Sequence, residues 1–174
     1  MKAFDKVPHQ RLLHKVQQYG IRGNIAHWIE DFLTGREQRV RVNQVHSNPI
    51  GVTSGIPQGT VLGPLLFLIF INDLPEVVQN SNIYLFADDM KIFKSILTPE
   101  ACALFQDDIL RSREWSNTNL LVMHPEKCKR MRVGHSSTPQ PRYFLTDPDK
   151  PLPLVTEEKD LGVCIDDKLQ FSSH

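Results

Sequence analysis

Two short apolar runs separated by a pair of acidic residues constrain the fold of this chain more than any other feature. Residues 83–87 and 90–93 are mostly apolar, and Asp88 and Asp89 lie between them. Strands this close in sequence pair most simply as an antiparallel hairpin, so we predict a two-residue turn at the acidic pair. Adjacent carboxylates repel each other unless a cation lies between them, and Mg²⁺ or Mn²⁺ accepts such hard oxygen ligands. A purely structural turn is the alternative interpretation of the pair alone.

Two other pairs of adjacent aspartates occur in different surroundings. Asp107 and Asp108 fall within an amphipathic helical pattern, so we expect both on the solvated face of a helix. Asp166 and Asp167 follow a short apolar strand at residues 161–165 and indicate a turn. Neither pair is therefore a candidate metal site.

The first part of the chain predicts helices followed by a strand. Residues 8–34 keep a helical apolar spacing that glycines interrupt once, so we predict two consecutive helices, with Trp28 in the core. Residues 38–43 alternate in period two, which is typical of a half-buried strand with Arg39 and Arg41 on one face.

The middle of the chain predicts an irregular segment between elements. Residues 51–59 are too rich in glycine and proline for a regular element. An apolar helix follows, opened by Gly63 and closed by Pro75, and a second, amphipathic helix begins at Thr98 and runs towards a core Trp115. Its apolar face is predicted to carry Ala101, Leu104, Phe105 and Ile109. This mixed order with hairpins favours an α+β fold over a doubly wound sheet.

The net charge of zero conceals an uneven distribution along the chain. Residues 1–41 carry 8 Lys or Arg and 4 Asp or Glu, whereas residues 42–110 carry 2 and 7. Residues 111–135 are again basic, with 6 against 2, and residues 136–174 are acidic, with 4 against 7. Basic segments on both sides of an acidic one suit a polyanion beside a metal centre, although variation around a neutral mean explains the counts equally well.

Cysteine usage and hydropathy indicate an intracellular chain without a membrane partner. Cys102, Cys128 and Cys164 are odd in number, widely spaced and in no zinc-binding pattern, which indicates a reducing compartment. The longest apolar run, residues 65–71, is too short to cross a bilayer.

Several segments resemble a known enzyme family. Residues 86–89, Phe-Ala-Asp-Asp, resemble the Y/F-A-D-D motif on the palm hairpin of reverse transcriptases. Residues 54–67 resemble the SGVPQGSVLGPLLF segment of non-LTR retrotransposon polymerases, and residues 71–74 continue that likeness. Residues 2–9 are similar to the end of the first palm motif, D-x-x-K-A-F-D-x-V-x-H.

The resemblance continues to the end of the chain in the family's order and spacing. Residues 121–128 resemble the stretch L-x-x-N-P-x-K-C/T, with His124 in place of the Asn, and residues 160–163 and 169–174 resemble the entry to the thumb. The chain is thereby identified as similar to the reverse transcriptases of jockey-like non-LTR retrotransposons.

This resemblance implies a fold and a division into segments. We expect a palm-like antiparallel sheet with packed helices, with the fingers and thumb largely missing. Residues 1–135 would form a partial palm, residues 136–153 a Pro-rich loop or linker, and residues 154–174 the start of a thumb-like segment.

The resemblance also implies a chemistry and its partners. Family members copy an RNA template by adding dNTPs to a DNA primer, and two metal ions stabilise the attacking and leaving oxygens. Asp88 is expected to hold Mg²⁺ or Mn²⁺, and Asp89 to support the same site.

Further roles carry over by motif position, each with an ordinary structural alternative. Gln58 and Gly59 would lie against the incoming nucleotide and template, and Phe4 would crowd the sugar 2′-carbon. Lys127 would protonate the leaving pyrophosphate. Alternatively, Phe4 is a core aromatic, Gln58 satisfies loop backbone groups and Lys127 belongs to a solvated basic face. That basic face would also contain Lys129, Arg130 and Arg132.

Three arginines near the predicted strand are candidates for nucleic-acid contacts. We expect Arg36, Arg39 and Arg41 to contact the template backbone, or otherwise to solubilise one sheet face.

One carboxylate of the family motif has no counterpart in the chain. The first palm Asp precedes the motif Lys by three positions, and since that Lys is Lys2, the matching position falls before Met1. Asp5 matches a later Asp that is not the principal metal ligand. We therefore expect little or no polymerase activity from this chain alone. The alternative is a non-catalytic nucleic-acid-binding remnant of a mobile element.

Overall fold

The computed structural model describes residues 3–134 and 141–170 of the 174-residue chain. The residues outside these ranges are 1–2, 135–140 and 171–174. Lys2 of the first motif, Phe171 and His174 of the thumb-like likeness, and the first part of the predicted Pro-rich segment therefore lie outside the described residues.

Two helices open the described fold. After a 3-10 turn at Ala3–Lys6, α1 spans His9–Gln18 and α2 spans Gly23–Leu33, which confirms the two helices predicted for residues 8–34. The apolar residues that α1 buries are Leu12, Leu13 and Val16.

Trp28 is not a core residue, contrary to the prediction. Its side chain is 57% exposed and stacks on Phe32 with ring centroids 6.1 Å apart. The buried face of α2 carries Ala26, Ile29 and Leu33. Trp28 precedes Ile29 by one residue, about 100° of helix rotation, and so lies outside this buried stripe.

Residues 37–51 form an exposed two-stranded ribbon instead of the predicted half-buried strand. Each side of the ribbon consists of two short strands. The first side contains β1 (Glu37–Gln38) and β2 (Arg41–Val42), and the returning side contains β3 (Val45–His46) and β4 (Ile50–Gly51). β1 pairs with β4 and β2 with β3, both antiparallel, and Asn43 and Gln44 form the turn with φ of 45° and 67°. The predicted burial is wrong because residues 37–51 are exposed along nearly their whole length.

The apolar helix α3 spans Leu62–Ile71 and is followed by a separate 3-10 turn at Leu74–Val77. Pro75 lies in the first turn of that 3-10 segment and has no N–H to donate to the carbonyl of Ile71, so α3 cannot continue through it, as predicted. The helix ends earlier, at Ile71, and the N–H of Asn72 still donates to the carbonyl of Leu68.

The acidic pair lies on a hairpin, but the turn lies one residue earlier than predicted. β5 (Asn82–Phe86) pairs antiparallel with β6 (Asp89–Phe93), and Phe86 lies opposite Asp89. The two turn residues are therefore Ala87 and Asp88, whereas the sequence predicted Asp88 and Asp89. Asp89 is the first residue of the returning strand.

The amphipathic helix α4 spans Pro99–Thr118 and begins as predicted. The side-chain oxygen of Thr98 accepts the N–H of Ala101 at 3.2 Å, which caps the helix. Ile109 and Trp115 are buried, in agreement with the prediction, but Leu104 is 42% exposed and was wrongly placed on the buried face.

Asp108 overturns the expectation that the Asp107–Asp108 pair is solvated. The Asp108 side chain is 0% exposed, and its carboxylate accepts the backbone N–H groups of Gln79 and Asn80. Because buried carboxylates are tolerated only when they are hydrogen-bonded, these donors explain its place on the buried face. Asp107 forms an ion pair with Arg111 at 2.7 Å.

Short strands also organise the last part of the chain. Their bounds are β7 (Arg130–Met131), β8 (Leu154–Val155), β9 (Glu157–Asp160) and β10 (Val163–Asp166). β7 pairs with β8 in parallel and β9 with β10 antiparallel. The strand predicted at residues 161–165 is confirmed for residues 163–165, which lie in β10, but it begins two residues later than predicted because Leu161 and Gly162 form a turn with φ of 46° and 93°. The turn predicted at Asp166 is confirmed, because its Oδ1 accepts the N–H of Lys168 at 2.9 Å.

The described part of the Pro-rich segment is irregular yet partly buried. Tyr143 and Leu145 form a small apolar cluster with Ile109 of α4, and Phe105 packs against it. The Gln106 side chain donates to and accepts from the backbone of Phe144 at 2.9 and 3.0 Å. This loop is therefore attached to α4.

The main core lies between the helices and one face of the β5–β6 hairpin. α1 packs against both α2 and α3, and the central buried residues include Leu12, Val16, Leu33, Phe67, Phe70 and Trp115. The prediction of a mixed helix and strand fold with antiparallel hairpins is confirmed. In the described part of the chain, no helix is long and apolar enough to span a bilayer.

Candidate functional site

The hairpin that carries Asp88 and Asp89 has one face on the core and one face in solvent. Both strands alternate between half-buried and exposed residues, as the period of a strand requires. The inward residues packed against the core are Ile83, Leu85, Ala87 and Met90. Asp88 in the turn and Asp89 on the outward face are both exposed. Their carboxylate oxygens are thus available to a cation from solvent.

The outward face of the hairpin is aromatic next to the acidic pair. Tyr84 and Phe93 stack with ring centroids 5.2 Å apart and an interplanar angle of 19°. Phe86 lies directly opposite Asp89 and is 62% exposed. Lys91 on the same face forms an ion pair with Asp160 of β9.

The Gly- and Pro-rich loop is bound to the backbone of the first turn of the chain. The N–H of Gly55 donates to the carbonyl of Val7 and the N–H of Ile56 to that of Phe4, both at 2.8 Å. Gly55 has φ +88°, and a Cβ there would lie 2.7 Å from the carbonyl oxygen of Asp5. Only glycine allows this close backbone approach.

The side chain of Gln58 is held by the carboxylate of Asp5, a residue that was not predicted to belong to the site. Its Nε2 donates to Oδ1 of Asp5 at 2.6 Å. Gly59 follows with φ +78°, is exposed, and has open space where a Cβ would be. The two loop residues predicted to face nucleotide and template therefore lie at the surface, with Gln58 oriented by Asp5.

Phe4 is half-buried and its ring is fixed by a neighbouring aromatic side chain. It stacks on Phe67 of α3 with centroids 4.3 Å apart. Phe4, Ala87 and Met90 all pack against the same hydrophobic core. The first turn, the loop and the acidic hairpin are therefore supported by one core.

The carboxylates of the acidic pair are suitable ligands for a divalent metal, but two of them are too few for a complete site. Asp88 and Asp89 offer exposed carboxylate oxygens, which hard divalent cations prefer. Among residues 3–134 and 141–170, no group of three or more His, Cys, Asp or Glu side chains could hold a metal ion. The described chain thus offers part of a metal-binding set.

The surroundings of Lys127 differ from those of the acidic hairpin. Lys127 ends a 3-10 turn at Pro125–Lys127 and is exposed, and the next residue, Cys128, packs against the small cluster around Ile109. Burial raises the pKa of the Cys128 thiol. No hydrogen bond or ion pair of the described residues joins Lys127 to Asp88 or to the loop.

The basic side chains beside Lys127 are partly engaged within the protein. Lys129 pairs with Glu158 at 2.7 Å, and Arg130 donates to the carbonyls of Leu152 and Pro141, each at 3.1 Å. This part of the basic block therefore stabilises the loop and the β9–β10 hairpin.

The three arginines near the ribbon divide into two kinds. Arg36 donates to the carbonyls of Leu33 at 2.8 Å and Gly55 at 2.7 Å, so it anchors the loop. Arg39 and Arg41 are exposed on the ribbon and are the two that a polyanion could reach.

Sequence reasoning missed Asp108, which supports the residues immediately before β5. Burial alone would raise the pKa of this carboxyl group, but the hydrogen bonds from Gln79 and Asn80 help to outweigh it, and the pKa lies below its ordinary value. The available signal was the helical spacing that places Asp108 with Ser112 and Trp115 on one face.

Comparison with known proteins agrees with these motifs. Residues 1–160 match the family described as "Reverse transcriptase (RNA-dependent DNA polymerase)". The "Probable RNA-directed DNA polymerase from transposon X-element" of Drosophila melanogaster is 31% identical over 99% of this chain and 19% of its own length. The "RNA-directed DNA polymerase from mobile element jockey" of Drosophila funebris is 30% identical over the same shares.

A more distant relative comes from another kind of retrotransposon. The "Retrovirus-related Pol polyprotein from type-1 retrotransposable element R2" of Popillia japonica is 25% identical over 93% of this chain and 29% of its own length. The chain spans about a fifth of the length of the X-element and jockey relatives. Since the family match covers most of its residues, the chain belongs to the reverse transcriptase (RNA-dependent DNA polymerase) family.

Proposed function

We propose that this chain is the palm-centred part of an RNA-directed DNA polymerase of a jockey-like non-LTR retrotransposon. The observation that carries this proposal is the Phe-Ala-Asp-Asp hairpin, which presents both carboxylates to solvent from a buried support. The partners would be an RNA template, a DNA primer and a dNTP, inside the cell. Residues 1–135 would belong to the palm, residues 136–153 to a connecting loop, and residues 154–174 to the start of a thumb.

Asp88 and Asp89 would hold Mg²⁺ or Mn²⁺ in this function. When bound, such an ion offsets the negative charge of the triphosphate and of the attacking primer oxygen. The chain's own contribution is to keep two hard oxygen ligands at the surface of a rigid hairpin. Because this set is incomplete, we expect weak metal binding by the isolated chain.

The other predicted site residues would position the substrates. Phe4 would limit the space beside the sugar 2′-carbon, and its stacking on Phe67 keeps the ring in place. Gln58, oriented by Asp5, and the open backbone at Gly59 would lie along the nucleotide and template. Lys127 would donate a proton to the leaving pyrophosphate, a role that its exposed position leaves free.

The 174-residue chain alone is expected to show little or no DNA synthesis. Asp88 and Asp89 supply two carboxylates of the motif set, and among the described residues they are not part of any group of three or more His, Cys, Asp or Glu side chains that could hold a metal ion. The experiment is dNTP incorporation on a primed RNA template with Mg²⁺ or Mn²⁺. Robust synthesis that Asp88→Ala abolishes would contradict the expected inactivity, and it would support Asp88 as a catalytic ligand.

A second candidate function, binding nucleic acid without catalysis, is favoured by the exposed ribbon. Arg41 lies opposite His46, and Arg39, two residues earlier between β1 and β2, is also exposed. Phosphate contacts predict binding to a single-stranded RNA that weakens steeply with ionic strength. A binding constant that does not change with salt would exclude this candidate.

A further inference from the structure

The open end of the acidic hairpin is closed by a contact between the buried Asp108 and two half-buried residues, Asn80 and Lys94. Asn80, two residues before β5, donates its backbone N–H to Oδ2 of Asp108 at 2.9 Å and its side-chain N–H to Oδ1 at 3.2 Å. The ammonium group of Lys94, the residue after β6, donates to the carbonyl of Asn80. We call Asp108, Asn80 and Lys94 the clamp.

Burial of the apolar side chains does not by itself select the observed strand register. In that register Leu85 lies opposite Met90 and Ile83 opposite Ile92. Shifting the pairing by two positions along one strand would place Leu85 opposite Ile92. The inward residues keep their face, because the shift is even and side chains alternate with period two; they are Ile83, Leu85, Ala87, Met90 and Ile92.

The aromatic pair on the outward face does not select the register either. Tyr84 and Phe93 stack diagonally in the observed register, where Tyr84 lies opposite Lys91. In the shifted register Tyr84 and Phe93 would be directly opposite each other, which also permits ring contact.

Turn chemistry also leaves the two registers close in energy. The observed turn places Ala87 at φ 49°, a conformation in which residues other than glycine are uncommon. The shifted register would instead form its turn from Asp88 and Asp89, which brings two negative charges together. Neither dipeptide is among the favoured two-residue turns, such as Asn-Gly.

The clamp distinguishes the two registers. In the observed register Lys94 follows Phe93, which pairs with Asn82, so Lys94 lies near Asn80. In the shifted register Lys94 would lie opposite Ile83, about 7 Å further along β5 at the rise of a strand. Its bond to the Asn80 carbonyl would then be lost, while Asp108 holds Asn80 on α4.

We propose that Asp108 and Lys94 are positioning residues that hold the hairpin in the register with Asp88 in the turn and Asp89 opposite Phe86. In the shifted register both carboxylates would occupy the turn. The register itself does not depend on metal binding. Its consequence for a metal site rests on the proposed function.

Cross-strand nuclear Overhauser contacts measure the register directly. In the unaltered chain we expect contacts between the backbones of Leu85 and Met90. In Lys94→Met and Asp108→Asn we expect a second set between Leu85 and Ile92, since losing a hydrogen bond to a charged group shifts the ratio of registers by about tenfold. Lys6→Met removes an exposed lysine outside the hairpin and should leave a single register.

A turn variant separates positioning from general stability. Ala87→Gly relaxes the positive φ of the observed turn, so it should restore the single register in the Lys94→Met background. If Lys94→Met folds and keeps only the Leu85–Met90 contacts, the clamp does not select the register and the inference is overturned. Lys94 is only half-buried, so this variant decides the question even if Asp108→Asn fails to fold.

A Mn²⁺ titration of the unaltered chain keeps the two proposals distinct. Absence of binding at Asp88 would contradict the proposed metal site while the register result stands. Binding at Asp88 together with a register unaffected by Lys94→Met would overturn the clamp alone.

Discussion

The fully buried carboxylate of Asp108 accepts the backbone N–H of Asn80 at 2.9 Å and so joins α4 to the strand that leads to the acidic turn. Replacing it by Asn keeps the shape but offers one acceptor oxygen in place of two. We expect Asp108→Asn to lower the free energy of unfolding by about 2 kcal/mol, because a buried N–H loses its partner. Chemical denaturation checks this value. Asp107→Asn, on the exposed neighbour, should cost less than about 0.5 kcal/mol.

The stabilisation by Asp108 should disappear in acid. Its pKa is lower in the folded chain than the ordinary value of 3.8, so the folded state holds the proton less tightly than the unfolded state. The contribution is therefore complete above the unfolded pKa and is lost as the pH falls through the folded pKa. Denaturation curves from pH 6 down to below pH 3.8 should show the unaltered chain and Asp108→Asn converging. A constant difference between them would contradict the assignment.

Gly55 and Gly59 form a matched pair for testing the loop. Both have positive φ, but a Cβ at Gly55 would lie 2.7 Å from the backbone of Asp5, whereas Gly59 has open space. Gly59→Ala should cost about 1 kcal/mol of conformational strain. Gly55→Ala should cost distinctly more and displace the Gln58 side chain from Asp5. Thermal unfolding of the two variants tests this order, and equal losses would show that the close approach is unimportant.

The ion pair between the buried Lys15 and the partly exposed Asp73 should respond unequally to loss of each partner. Lys15 donates to Oδ1 of Asp73 at 2.7 Å and to the carbonyl of Phe70, and Trp115 donates to the same Asp73 oxygen at 3.1 Å. Burial lowers the pKa of Lys15, and Asp73 opposes that shift. Asp73→Asn leaves a buried cation without its counter-ion and should cost about 2 kcal/mol.

Lys15→Met is the complementary variant of that pair. It removes the buried charge together with the contacts of the ammonium group to the Phe70 and Trp115 rings, keeps a long apolar side chain at the position, and leaves Asp73 partly in water. We therefore expect a smaller loss than for Asp73→Asn, measured by urea denaturation under the same conditions. The reverse order would refute the view that desolvation of the lysine dominates this pair.

Arg39 and Arg41 allow the nucleic-acid surface to be tested without disturbing the loop. If each neutralises one phosphate of a single-stranded RNA, Arg39→Gln with Arg41→Gln should reduce the slope of log K against log salt by about 1.4. Glu37→Gln, in β1 of the same ribbon, is the control and should not reduce the slope. An unchanged slope in the double arginine variant would place the RNA elsewhere.

Local sequence patterns were sufficient for the elements whose signals lie within a few residues. The helices around residues 8–34, the Thr98 cap and the existence of the hairpin follow from apolar spacing and capping chemistry. The hairpin turn was misplaced by one residue, because both placements bury the same side chains. Its register depends on Asp108 and Lys94, which contact Asn80 from 28 and 14 positions away.

The candidate site shows the same division between local and long-range information. Asp88, Asp89, Gln58 and Phe4 were identified through motifs. The partner that orients Gln58, Asp5, lies 53 positions earlier in the chain and was passed over as a ligand. Arg36 was predicted to contact the template backbone. Its guanidinium instead donates to the carbonyl of Gly55, 19 positions away, and this contact forms only when the loop is folded.

The most direct test of the account is a Mn²⁺ titration of the isotopically labelled chain followed by nuclear magnetic resonance. A divalent site on the acidic hairpin predicts that amide signals of residues 86–90 broaden first. Asp88→Asn should remove this selective broadening, whereas Asp149→Asn, which alters an exposed acidic loop, should leave it unchanged. Broadening that begins elsewhere, or that survives Asp88→Asn together with Asp89→Asn, would contradict the claim that these two carboxylates hold the metal.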